Sequence, residues 1–135
     1  MASAADETTA LDLKFDENGL IGAIVTSSTD GALLMFAYMN RQALEKTIAT
    51  GQLHLYSRSR KQLWKKGESS GETFQVQSIL TDCDQDALQV KVTANGKGAA
   101  CHTGRKSCFY REIAGGNLRF VDHKKLFDPD LTYKK

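Results

Sequence analysis

Three aspartates and a cysteine share the five residues after Thr81, in the order Asp82, Cys83, Asp84, Gln85, Asp86. Carboxylates this close repel one another, and a hard cation such as Mg2+ relieves them because it prefers oxygen ligands. A thiolate prefers a softer ion, so Cys83 points to zinc instead. On one flat strand the three Asp side chains would share a face, with neighbours ~6.7 Å apart, and Cys83 would point to the other side. One small ion does not easily grip all three at that spacing, and Asp is a poor strand former, so a bend at 82–86 is expected. A calcium loop also begins D-x-D-x-D, but it needs Gly at its sixth position and Glu at its twelfth; this chain has Ala87 and Thr93 there. The bland alternative is a solvated acidic turn.

The other two cysteines, Cys101 and Cys108, lie in ACHTGRKSCF. Their spacing is not that of a compact zinc pair. Three thiolates nevertheless bind zinc well and leave one tetrahedral position open, as a catalytic site requires. His102 would close that position as a fourth ligand, or would move protons beside the metal. Adjacent residues in an extended segment point in opposite directions, which favours the proton-transfer role. His54 and His123 have no comparable neighbours. An odd number of cysteines argues against a disulfide framework.

A third stretch, SRSRKQLWKKGESSG (57–71), combines Arg58, Arg60, Lys61, Lys65 and Lys66 with Trp64 and ends in a Gly/Ser loop. Arg suits bidentate contact with phosphate, Trp stacks on bases, and a Gly/Ser backbone such as Ser70-Gly71 receives phosphate oxygens. Nucleic acid, a phosphorylated nucleotide or a plain solvated face all fit these residues. Glu68 is out of place in a loop that only binds anions, which hints at a hydrogen bond to substrate or support of a metal.

The elements that must hold these residues follow from local pattern. LIGAIVTSS (20–28) and ALLMFAYMN (32–40) flank Thr29-Asp30-Gly31 and predict a hairpin. Asn40 caps a helix over about 41–49 with Leu44 and Ile48 on one face, and Gly51 stops it. Further strands are expected at 53–59, at 73–80 with Phe74, Val76 and Ser78 on one face, and at 87–94 with Leu88, Val90 and Val92 inward. Another pair, 108–113 and 118–122, brackets Ala114–Asn117. About seven strands and one main helix predict a compact α+β domain, mainly β. Residues 1–10 are expected as a loose tail and 11–135 as one domain.

The bulk numbers add exclusions. The chain has 135 residues, and its net charge of +2 does not by itself demand nucleic acid or a membrane surface. MASAADETTALD lacks a basic and then apolar leader, and no apolar run approaches a membrane span, so a cytoplasmic location is expected.

SRSRKQLWKKGESSG, TDCDQDAL and ACHTGRKSCFYRE, in that order and spacing, closely resemble the phosphoribosyl-AMP cyclohydrolase family. The likeness extends over about residues 12–115 and takes in GLIGAIV and LLMFAYMN; Gly22 departs from the proline usual in the family. The resemblance implies hydrolytic opening of the adenine ring of N1-(5-phosphoribosyl)-AMP at the N1–C6 bond, in histidine biosynthesis. It implies zinc, one per subunit, on Cys83, Cys101 and Cys108, and Mg2+ on Asp82, Asp84 and Asp86. It also implies an intertwined homodimer whose zinc sites draw cysteines from both chains. His102 is then the catalytic proton carrier, and Arg60, Trp64, Lys66, Glu68, Ser70 and Gly71 are the substrate contacts. No nucleic-acid or membrane partner is expected. Two rival readings are a zinc-stabilised RNA-binding module and a metal-dependent deaminase or phosphohydrolase acting on another nucleotide.

Overall fold

The computed structural model describes residues 4–133. Eight strands form among them: β1 (Ile21–Ser27), β2 (Leu33–Met39), β3 (His54–Ser57), β4 (Gln62–Lys65), β5 (Phe74–Thr81), β6 (Ala87–Ala94), β7 (Arg111–Ala114) and β8 (Asn117–Phe120). The first six make one sheet in the order β4-β3-β2-β1-β6-β5, and β7-β8 is a separate hairpin. All pairings are antiparallel except β1 with β6, which run parallel. Two helices, α1 (Arg41–Thr50) and α2 (Pro129–Thr132), complete the set, with a 3-10 turn at Ala4–Glu7. The expected β-rich α+β domain with one main helix is what forms.

Helix α1 begins where Asn40 accepts the Ala43 N–H on its side-chain oxygen at 2.8 Å. It ends where Gly51 takes φ 72, a left-handed value that suits glycine, and returns its N–H to Thr47. The face that meets the sheet is Ala43, Leu44 and Thr47. Thr47 is buried, yet its hydroxyl donates to the Ala43 carbonyl at 2.8 Å and accepts from His54 N at 2.9 Å, so its polarity is fully used. Ile48 was expected beside Leu44. The two do share a face and border an open apolar groove near β5, where Ile48 is 62% exposed.

The core is one face of the sheet closed by α1. Ile21, Ala23 and Val25 of β1 meet Leu88, Val90 and Val92 of β6, with Leu53, Leu55 and Phe74 beside them. One local correction applies to β5. Its register shifts between Val76 and Ser78, so Val76 and Ile79, rather than Val76 and Ser78, pack toward the core. A bulge resets strand parity in this way, and simple alternation does not reveal it.

The basic stretch contains a strand, β4, to which local pattern assigned no element. Its Leu55↔Trp64 and His54↔Lys65 pairings set Leu63 and Trp64 against the core, and Lys66, directly after the strand, is buried. The reversal before it uses Lys61 at φ 51, an uncommon left-handed value for a side chain, which hides the turn from a search for Gly or Asn. The strand expected at 108–113 starts only at Arg111, because Cys108 N–H is spent on the Leu34 carbonyl at 2.7 Å. Helix α2 lies outside the elements that local pattern predicts; Asp128 caps it and Pro129 opens it.

The other face of the sheet stays open. Phe36, Ile24, Gln89 and Leu80 stand in register across β2, β1, β6 and β5, and the three apolar ones are 48%, 40% and 40% exposed. No helix among the described residues is long and apolar enough to cross a membrane.

Candidate active site

Two loops and the end of β4 form a cleft of about 410 Å³. Trp64 comes from β4 and Lys66 follows it directly. Glu68, Ser69 and Ser70 come from the next loop. Ala100, His102 and Cys108 come from the segment after β6, Arg60 from the β3–β4 turn and Tyr133 from the C-terminal end. Six expected site residues therefore meet in one place: Arg60, Trp64, Lys66, Glu68, Ser70 and His102, with the Cys108 thiol among them. Gly71 does not line the cleft. It takes φ 81 and donates its N–H to Gly67 at 2.8 Å, which closes the loop on itself.

Lys66 is the most deeply placed cation here, at 6% exposure. Burial pulls its ammonium below the usual lysine range, while Cys108, Cys101 and Glu72 pull it back up. The ion pairs formed among the described residues are Lys14–Asp12, Lys106–Asp30 and Arg119–Glu112, so no carboxylate at contact distance neutralises Lys66. Its ammonium stands 5.8 Å from the centre of the Phe74 ring. A desolvated cation without an ion-pair partner, facing a cleft, is a strong draw for an anion.

Cys101 and Cys108 are brought together. Cys101 is buried and its Sγ accepts the Thr103 hydroxyl at 3.2 Å. The loop between them is held by Ala100 N–H to Lys106 O at 3.0 Å and Cys101 N–H to Arg105 O at 3.1 Å. The Cys108 thiol is pushed up to about 12 by desolvation, then by the charge and hydrogen bond of Cys101, against a pull downward from Lys66. In the free chain it carries its proton, and a metal must displace that proton to bind.

Cys83 is elsewhere. It lies on the β5–β6 turn, at the edge of the sheet where Gly22 pairs with Tyr38 and with Ala87. Cys108 is tied to Leu34, four residues further along β2 from Tyr38. That separation is roughly 13 Å along the strands alone. One zinc ion, with Zn–S bonds of about 2.3 Å, does not span it. A single chain thus presents two of the three expected thiols to one ion.

The expected bend at 82–86 is present and tight. Gln85 takes φ 57, and the residues around it hold it there. Gln85 Oε1 accepts Asp12 N–H at 2.8 Å, its carbonyl accepts Lys14 N–H at 2.7 Å, and its amide donates to Ala10 O at 3.2 Å. The bend turns the acidic residues toward one another at the surface, so that carboxylate oxygens of Asp82, Asp84 and Asp86 lie within 4.8 Å of one another. This is the one such group of potential ligands among the described residues. Asp86 is raised to about 6 by hydrogen bonds to Asp82 and Asp84, with desolvation and their charge adding to it. Asp82 lies below its ordinary value. Desolvation pushes it up, but hydrogen bonds from Asp86, including its backbone N–H at 3.0 Å, and from Ala87 N–H at 3.2 Å outweigh that. The donor set, all oxygen and short of positive charge, fits a hard divalent cation.

Sequence reasoning missed Glu72. It is 5% exposed, and its Oε1 accepts the N–H groups of both Gly98 and Ala99, at 3.0 and 3.2 Å. The available signal was a second acidic residue closing a loop otherwise suited to anions. Tyr133 was also missed, because only tertiary folding returns the C-terminal segment to the cleft. Arg105 is buried for structural reasons: it donates to Asp122 O at 3.0 Å and stacks 4.1 Å over Tyr110.

Fold and cleft together define a class, an α+β protein built on one six-stranded sheet and a separate hairpin, with an anion-attracting, thiol-bearing cleft and a separate carboxylate cluster. A family model described as phosphoribosyl-AMP cyclohydrolase matches residues 35–110. The chain is 56% identical over 124 residues to the phosphoribosyl-AMP cyclohydrolase of Sinorhizobium fredii, covering 89% of this chain and 82% of that one. It is 56% identical over 121 residues to the enzyme of that name from Methanococcoides burtonii, covering 90% and 95%. For Bradyrhizobium diazoefficiens the figures are 52% over 126 residues, 90% and 89%. The chain belongs to the phosphoribosyl-AMP cyclohydrolase family.

Proposed function

We propose that this protein opens the adenine ring of N1-(5-phosphoribosyl)-AMP by adding water across the N1–C6 bond, as a step of histidine biosynthesis in the cytoplasm. The observation that carries the reading is the cleft itself, which gathers Lys66, Arg60, Ser70, Trp64 and His102 around Cys108 in a member of this family.

The residues divide the work by their chemistry. Lys66 and Arg60 attract the substrate's phosphates, and Ser70 with the backbone around Gly71 completes their hydrogen bonds. Trp64 offers a face for the purine. Glu68 accepts a hydrogen bond from the substrate. The oxygen of water bonds to C6, the C6–N1 bond breaks, and a proton ends on N1. His102, exposed at the cleft wall, takes the proton from water and delivers it to N1. Substitution at N1 leaves the ring short of electrons, which makes C6 electrophilic. Zinc held by Cys101, Cys108 and Cys83 would supply the Lewis acidity that makes water nucleophilic near neutral pH. Mg2+ held by Asp82, Asp84 and Asp86 would neutralise phosphate charge.

Because Cys83 stands apart from the other two thiols, the zinc set is completed by a second copy of the chain in a homodimer. The open row of Phe36, Ile24 and Leu80 supports this, since an apolar sheet face of this kind favours being covered. Wherever Cys83 meets the partner's cleft, Asp82 and Asp84 travel with it. The interleaving of thiol and carboxylates therefore brings both ions to one composite site.

The test is the ultraviolet spectrum of N1-(5-phosphoribosyl)-AMP over time with purified protein, with and without a zinc chelator. A chelator-sensitive change, with a product heavier by one water and no ammonia or phosphate released, is expected. An unchanged spectrum with the zinc- and magnesium-loaded dimer overturns the reading.

A further inference from the structure

Glu72 is a buried carboxylate that the chemistry above does not use. It does not line the cleft. It stands between the cleft's two walls: the Lys66–Ser70 loop, which it ends, and the 98–102 segment, which carries Cys101 and His102. Its backbone N–H is held by the Ser70 hydroxyl at 3.1 Å, on the substrate side. Its Oε1 receives the Gly98 and Ala99 N–H groups, on the thiol side. Two glycines make room for this. A Cβ at Gly96 would come within 2.8 Å of Oε2, and one at Gly67 would overlap the Glu72 backbone. Apart from Asn95 N–H to Thr73 O at 3.0 Å and the Asn95 side chain, these bonds are what fixes the turn after β6 to the loop before β5.

We propose that Glu72 is a positioning residue that locks the Cys101–His102 segment to the Lys66–Ser70 loop, so that a nucleotide held by one wall orders the thiol and imidazole of the other. The proposal rests on the nucleotide reading of the cleft for its second half only; the lock itself is a property of the chain. A carboxylate that accepts two backbone N–H groups in a desolvated site is the stronger kind of hydrogen-bond anchor. Its removal leaves one buried N–H, at Ala99, and one half-buried N–H, at Gly98, without acceptors. Gln keeps one acceptor oxygen of the same reach for the two N–H groups, loses the charge and carries an NH2 in place of the second oxygen.

Amide hydrogen exchange of the full-length dimer tests this, read on the peptide containing 98–102. The variants are Glu72→Ala, Glu72→Gln and Gly96→Ala; the last displaces the carboxylate without removing it and sits in an exposed turn. Glu72→Ala and Gly96→Ala should speed exchange at Gly98 and Ala99 by roughly ten- to a hundredfold, and Glu72→Gln should restore most of the protection. AMP is the probe for the second half, with its binding followed by the fluorescence of Trp64, the single tryptophan. In the native protein AMP should slow exchange in 98–102; in Glu72→Ala it should still quench Trp64 but no longer slow that exchange. Unchanged exchange in both Glu72→Ala and Gly96→Ala overturns the lock. Protection of 98–102 by AMP that survives in Glu72→Ala overturns the coupling. Failure of AMP to bind the native protein counts against the nucleotide reading and against the coupling, and leaves the lock to be judged on the exchange rates of the free chain.

Discussion

Replacing Gly67 with alanine tests whether the Lys66–Ser70 loop has the tight geometry described. Gly67 takes φ 85, where a Cβ costs about 1–2 kcal/mol. The added carbon would also overlap the backbone carbon and oxygen of Glu72 and the nitrogen of Thr73, well inside the 3.0 Å that real Cβ contacts respect. Backbone atoms do not rotate away as side chains do, so the loop must shift, at an overpacking cost of about 1–3 kcal/mol. The sum is about 2–5 kcal/mol, a large part of an ordinary domain's stability. Gly71→Ala is the internal control. It sits at a similar φ of 81 in the same loop, but nothing lies within 4 Å of its Cβ, so only the conformational cost applies. Urea denaturation of both variants at one fixed protein concentration should separate them by about 1–3 kcal/mol. Turnover should separate them further, since a shift of about 1 Å in Lys66 and Ser70 costs on the order of a hundredfold. Equal stability and equal turnover in the two variants would refute the reasoning.

Three other outcomes follow from the site. Cys83→Ala and Cys101→Ala should each abolish zinc binding and activity alone; refolded as an equal mixture they should regain about a quarter of the sites, because half of the dimers are hybrids with one complete site each. No recovery, measured by zinc content and rate, argues against a shared site. His102→Ala should retain zinc and lose most turnover, and zinc loss by metal analysis would make it a ligand instead. For the acidic turn, Asp86 holds its proton up to about 6, against 3.8 in the unfolded chain. The folded state therefore binds that proton more tightly. Without divalent cations this contribution is full below 3.8 and is lost as pH rises through about 6; Mg2+ should offset the loss above that point, and its affinity should fall as pH drops through about 6. A thermal midpoint that does not respond to Mg2+ on either side of pH 6 would count against the cation site.

Much of this protein was legible in its residues because the information was local. The Thr29-Asp30-Gly31 turn, the Asn40 cap and Gly51 stop of α1, and the inward row Leu88, Val90, Val92 depend on neighbours a few positions away. The bend at the acidic triplet was also foreseeable, because Asp neither favours a strand nor tolerates close like charges. The chemistry-bearing motifs named the family by type and spacing. What only the tertiary structure decided involves partners distant in the chain. The bulge at Val76/Ser78 reverses which β5 side chains reach the core. Strand β4 exists because β3 pairs with it, despite its basic composition. Gln85 keeps its left-handed turn because residues 10–14 hydrogen-bond to it from more than seventy positions away. The division of the thiols, Cys108 in the cleft with Cys101 beside it and Cys83 at the far end of the sheet, follows from the parallel pairing of β1 with β6. That pairing sets which ends of the strands lie together, and residue order alone does not encode it. Glu72 illustrates the same limit: its type suggested little, and its significance comes from the two backbone amides that folding delivers to it.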